Sequence, residues 1–180
     1  MALKTFTTGT VLTASDTNTY LTNGGLVYVT HQAVSGTPSS LTVSNCFNST
    51  YDNYRIVFDQ VTFSAGGFSY LFQVGGYNTL YYGVEVYDTY AGGGGTTRTN
   101  NGAALYFGVA DTASNGCTFD VINPYLAKAT IMQGLTFGAQ YAGWSAGQHA
   151  NAVSCTSFTL IAGSGTITGG SIYVYGYRKA

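Results

Sequence analysis

Charge is scarce in this sequence. Six Lys and Arg and seven Asp and Glu are spread over 180 residues, so charged side chains make up 7% of the chain, where soluble domains carry about 25%. Hydrophobic residues nevertheless reach 45%. Gly, Ser, Thr, Asn and Tyr must therefore cover much of the surface. Charge depletion marks contact surfaces, and net charge is what keeps molecules apart. With a formal net charge of −1, the composition points to a surface that is largely buried between subunits, against the simpler alternative of a neutral, hydroxyl-rich exterior. The basic residues Lys4, Arg55, Arg98, Lys128, Arg178 and Lys179 are scattered except for the last pair. No stripe exists to track phosphates, and nucleic acid is not an expected partner.

Cysteine is also sparse. Cys46, Cys117 and Cys155 form an odd set without C-x-x-C spacing, which favours neither a zinc site nor a disulfide framework and fits small buried hydrophobes. No metal and no cofactor is expected. The first residues, Met1 to Phe6, lack an apolar run of signal-peptide length, and nowhere are there about 18 consecutive apolar residues. Synthesis in a reducing cytoplasm without membrane insertion is the expectation, and the sequon Asn48-Ser49-Thr50 then carries no weight.

What is present is period-two alternation. Ile172-Tyr173-Val174-Tyr175-Gly176-Tyr177 reads as a strand with both faces occupied, Ile172 and Val174 on one and Tyr173, Tyr175 and Tyr177 on the other. Earlier strands are predicted over 26–30, 41–43, 54–63, 68–74, 81–87, 105–109, 117–122, 129–137 and 157–161, separated by Gly, Pro and Asn turns. In the clearest of them Tyr54, Ile56 and Phe58 share one face, and Arg55, Val57, Asp59 and Val61 the other. Helical signals are confined to the start, where Thr13-Ala14-Ser15-Asp16 fits a capping box and Asn23-Gly24-Gly25 a stop. The expected organisation is a short N-terminal segment over 1–25 containing that helix, and one all-β domain over 26–180. Many short strands with Gly-rich connections indicate two packed antiparallel sheets, a sandwich of jelly-roll type, with a closed barrel as the alternative.

Catalytic patterns occur only in fragments. Gly143-Trp144-Ser145-Ala146-Gly147 matches the nucleophile elbow of hydrolases, and His149 follows. That motif requires a strand before it, a helix after it and a later carboxylate, yet no Asp or Glu occurs after Asp120. A Gly-rich loop carrying Trp144 is the expected structure. Glu85 and Asp88 do not stand out as a glycosidase pair, and Glu85, flanked by Val84 and Val86, is expected to face solvent. Asp111-Thr112-Ala113-Ser114-Asn115-Gly116 resembles the opening of a calcium loop without its third-position ligand or closing glutamate, so a turn is expected. Gly92 to Gly95 leads into Thr96-Thr97-Arg98, not into a phosphate-binding Gly-Lys-Ser/Thr, and is read as a flexible loop.

The aromatic residues are more suggestive. Tyr77, Tyr81, Tyr82, Tyr87 and Tyr90 gather beside the tetraglycine, and Tyr141 and Trp144 lie on a second Gly-rich stretch. Tyr with Gly, Ser and Asn composes adaptable recognition surfaces. These seven residues are candidates for a ligand site or for an intersubunit seam, or they fill the sheet.

Two stretches carry a resemblance. Phe6-Thr7-Thr8-Gly9-Thr10-Val11-Leu12-Thr13-Ala14-Ser15-Asp16-Thr17-Asn18-Thr19-Tyr20-Leu21 resembles a leader of bacteriophage tail-fibre and related tail proteins, in which a Phe, a Gly, a Leu-Thr-Ala and an Asn-x-Tyr-Leu recur in this order. The ending Gly170 to Tyr177 is similar to the closing strand of small phage virion proteins. The resemblance implies a non-enzymatic virion component, made in the host cytoplasm and homotrimeric. Its leader would attach to other virion proteins through Phe6, Leu12, Tyr20 and Leu21. Its β domain would face outward towards a host surface glycan or envelope component, or pack on neighbours. A fibre with a long shaft is not implied, because the β pattern begins directly after Gly25. A short tail-associated fibre and a capsid decoration protein both fit, and a glycan-cleaving enzyme is the third possibility.

Overall fold

The computed structural model describes residues 7–9, 11, 13 and 25–179. The helix expected from Ala14, and the attachment residues Phe6, Leu12, Tyr20 and Leu21, lie outside these. The described residues form twelve strands: Leu26–Ala33 (β1), Ser40–Val43 (β2), Asn53–Phe63 (β3), Ser69–Val74 (β4), Tyr81–Thr89 (β5), Gly95–Gly102 (β6), Leu105–Val109 (β7), Asn115–Ile122 (β8), Lys128–Gly138 (β9), Tyr141–Val153 (β10), Phe158–Ile161 (β11) and Ile167–Tyr177 (β12). They divide into an eight-stranded sheet, in the order β1-β12-β3-β8-β9-β10-β5-β6, and a four-stranded sheet, β2-β11-β4-β7. Every pairing is antiparallel. The all-β expectation of two antiparallel sheets is met.

Two strands were not expected. β10 replaces the predicted loop around Trp144, and β6 follows the tetraglycine. β10 lacks an apolar face pointing at the core, since its inward residues include Gly143, Ser145, Gly147 and His149; β6 is a polar edge strand of Thr, Arg and Asn. Neither offers the apolar alternation by which strands are recognised.

The core lies between the sheets. From β3 it takes Tyr54, Ile56 and Phe58, and from β12 Ile172 and Val174, each at most 3% exposed. Val61 is a correction: it is fully buried, not on the face of Arg55. A bulge at Gln60, whose φ is 55°, advances the strand by one residue against β12, where Gly170 takes φ 92°. The extra residue restores Val61 and Phe63 to the inner face. Phe72 is the hub of the core, its ring centroid 4.9 Å from those of Phe119 and Phe158 and 5.9 Å from that of Phe107. The three cysteines are free and buried, as the sequence suggests. Burial pushes the Cys46 thiol up to about 12 and the Cys155 thiol up to about 11, which leaves both inert as nucleophiles.

One approach between the sheets is unusually close. β7 lies directly against β5 and β10, and a Cβ at Gly83 or Gly147 would run into the Leu105 side chain. These two glycines, one on each strand, form the notch in which fully buried Leu105 sits.

Removing the hub ring tests the core. Phe72→Ala should cost about 3–5 kcal/mol and lower the Tm by about 10 °C, read by thermal circular dichroism. A change of a degree or two would show that the sheets are held by other contacts.

Candidate functional site

The close approach of β7 leaves little room on the inner side of β9, β10 and β5. Apart from Met132 on β9 and Tyr81 on β5, which join the core, their inward residues are mostly small or polar: Thr130, Gly134 and Thr136 on β9; Gly143, Ser145, Gly147 and His149 on β10; Gly83 and Glu85 on β5. Because strand neighbours alternate between faces, most of the larger apolar residues of β9 and β10 point away from the core. Leu135 is 62% exposed, Phe137 55%, Trp144 45% and Ile131 42%. This part of the sheet has its apolar side facing out.

Register draws these residues into one surface. Thr118, Leu135, Trp144 and Val86 stand side by side across β8, β9, β10 and β5; the next row is Gly116, Phe137, Ala142 and Asp88. On the other side lie Asp120, Gln133, Ala146 and Val84, then Ile122, Ile131, Gln148 and Tyr82. A shallow depression of about 440 Å³ opens among Arg55, Thr118, Asp120, Gln133, Leu135 and Trp144.

One flank of this surface is held by charge. Arg55 donates from Nε to Asp120 Oδ1 at 2.9 Å and from Nη2 to Oδ2 at 3.0 Å, and the Tyr177 hydroxyl donates to Oδ1 at 2.6 Å. Partial burial pushes the Asp120 carboxyl up, but the Arg55 guanidinium and the Tyr177 hydroxyl outweigh it and hold the group below its usual range. Burial and the bond to Asp120 push Tyr177 up to about 12. The pair is therefore a fixed, mutually neutralised element at neutral pH.

The inner side holds the residues that enzyme motifs had drawn attention to. Ser145 sits mid-strand and donates to the Phe107 carbonyl at 3.0 Å, so G-x-S-x-G forms no elbow here. His149 lies on the same strand about 13 Å further along. It is fully buried between the rings of Tyr77 and Tyr81, at 5.1 and 4.7 Å, with no hydrogen-bond partner for either nitrogen among the described residues, and burial pushes its pKa down. Glu85 is a correction: it is 1% exposed and faces inward, accepting the Ser69 hydroxyl at 2.6 Å, while Asp88 lies exposed on the opposite face of β5. Two carboxylates so placed cannot flank one glycosidic bond. Asp111 serves a turn, its oxygens accepting from the backbone N–H of Ala113 and Gln140.

The seven aromatic candidates are not brought together. Tyr77 and Tyr81 enclose His149, and the Tyr81 hydroxyl accepts the Val74 N–H at 2.8 Å inside the fold. Tyr87 packs edge-on against Tyr141 at 6.1 Å. Tyr90 is 65% exposed, its hydroxyl 3.2 Å from the Gly138 carbonyl. Only Tyr82 and Trp144 belong to the outer surface. Ile131, Gln133, Leu135, Phe137, Arg55, Asp120 and Tyr177 were not identified as site residues from sequence. Their alternation was legible, but alternation does not say which face is buried.

No protein-family model, no characterised protein and no solved structure matches this chain.

Glu85 gives a pH test. Burial raises its carboxyl above the ordinary 4.5, with the Ser69 and Thr97 hydroxyls acting the other way. As pH rises past the unfolded value, the unfolded chain releases a proton that the folded chain still holds, so folding weakens until the folded group ionises as well. Glu85→Gln should gain Tm relative to the parent as pH rises from 4 to 8. A gap independent of pH would show that the carboxyl is not desolvated.

Proposed function

We propose that this chain is a non-enzymatic structural component of a bacteriophage particle: a short, tail-associated appendage, homotrimeric, attached through its N-terminal segment and meeting the host surface with its β domain. The observation that carries this reading is the outward-facing apolar surface of β9, β10 and β5, which suits a protein whose work is contact. The sparse charge and the resemblance of Phe6 to Leu21 and of Gly170 to Tyr177 support it independently.

Connectivity adds to the case. We read β1-β12-β3-β8 and β2-β11-β4-β7 as the two four-stranded sheets of a jelly roll, the architecture of viral capsid and lectin domains. On this reading β5–β6 and β9–β10 are hairpins inserted into the jelly roll. They extend its first sheet and bring the contact surface with them.

A second reading, a capsid decoration protein, is favoured by the breadth and shallowness of that surface, which suits packing on a shell as well as gripping a small ligand. Cryo-electron microscopy of purified particles separates the two. The appendage reading expects few copies, located at the tail; a regular lattice on the head would establish the decoration protein in its place, and absence from particles would contradict both.

A further inference from the structure

We infer that the outer face of β9 and β10, with the flanking β8 and β5, is covered by a second copy of this chain. This rests on the reading of a protein that works as a multimer; it assigns this face to the contact between copies and leaves contact with the host to other parts of the β domain.

Polarity is the first argument. Leu135, Phe137 and Trp144 form an exposed patch on adjacent strands, with Ile131 beyond the row of Gln133 and Ala146, while their strand neighbours Thr130, Thr136 and Ser145 are buried. A strand pair that turns its apolar side outward is stabilised only when that side is also removed from water.

Size is the second. Four adjacent strands about 4.8 Å apart, each about ten residues long at about 3.4 Å per residue, present roughly 600–700 Å². That approaches the roughly 800 Å² per partner of a standard stable interface.

Charge selects the occupant. Arg55 and Asp120 neutralise each other within the surface, and at its margin Arg98 on β6 and Asp88 on β5 are both exposed and of opposite sign. Copies placed head to tail about a threefold axis therefore meet no net repulsion, and Arg98 of one copy is the complement of Asp88 of the next. The outward amides of Gln133 and Gln148 both donate and accept, so they too can pair with their own kind. An anionic lipid surface would instead need a cluster of unpaired cations.

Trp144 is the chain's single tryptophan and stands inside the patch, so its fluorescence reports directly on cover. The test measures molar mass by light scattering and Trp144 emission across a dilution series of the full chain. The variants are Leu135→Glu, Phe137→Glu and, as an exposed control just before β4, Phe68→Glu. The parent should be a multimer with blue-shifted emission. Leu135→Glu and Phe137→Glu should weaken self-association at least about thirtyfold and red-shift Trp144. At concentrations low enough to dissociate the parent, their circular dichroism melts should match the parent's, since both side chains are more than half exposed in the single chain; at higher concentration the parent should melt higher, and Phe68→Glu should change nothing.

A parent that is monomeric at every concentration would overturn the inference. So would a multimer whose mass is unmoved by either Glu substitution, or a monomer whose Trp144 emission responds to an added oligosaccharide or to vesicles. The outcome is separable from the particle reading: a multimer absent from particles removes that reading and leaves this one, and a monomer found in particles removes this one and the trimer while leaving the particle component.

Discussion

The seating of Leu105 between Gly83 and Gly147 is the contact on which the rest depends. It brings β7 of the smaller sheet down on β5 and β10, closer than two full side-chain layers allow. Residues under that strand must be small, and polar ones are tolerated where they find partners, as Ser145 does on the Phe107 carbonyl and Glu85 on Ser69. Away from Met132 and Tyr81, which still reach the core, the larger apolar residues of these strands take the outer face.

Two kinds of sheet are therefore joined edge to edge. Through β12, β3 and β8 the sheet is conventional, with an aromatic and aliphatic inner face built around Phe72 and a polar or tyrosine outer face. Through β9, β10 and β5 the inner face is mainly small or polar apart from Met132 and Tyr81, and Ile131, Leu135, Phe137 and Trp144 lie outside. The Arg55–Asp120–Tyr177 network lies near the boundary, joining β3, β8 and β12 across the outer face. At the far edge, β6 carries Thr, Arg and Asn with no large apolar residue, a composition that discourages open-ended strand pairing. Association is thereby directed to the face of the sheet and away from its edge.

Much of the fold was legible because the conventional half obeys simple rules. The alternation of Ile172 and Val174 with Tyr173 and Tyr175 assigned both faces of β12 correctly, and the unpaired cysteine spacing anticipated three buried thiols. Legibility failed where a long-range contact decided the outcome. Nothing near Trp144 announces a strand, because β10 owes its inner side to Leu105, remote in sequence. Glu85 was expected outside because Val84 and Val86 resemble core residues, and the same inference hid Leu135 and Phe137. Alternation identifies which residues share a face; only the packing of β7 decides which face is inward. The bulge at Gln60 misassigned Val61 for a local reason, since one inserted residue reverses the phase of a strand.

The central claim is that the outer face of β9 and β10 is an apolar surface meant to be covered. Hydroxyl-radical footprinting of the intact protein, dilute and then concentrated, tests it residue by residue, with Phe68 and Tyr90 as exposed aromatics elsewhere. The account predicts that Leu135, Phe137 and Trp144 become protected on concentration while Phe68 and Tyr90 keep their reactivity. Unchanged reactivity at Leu135, Phe137 and Trp144, or protection confined to Phe68 and Tyr90, would contradict it.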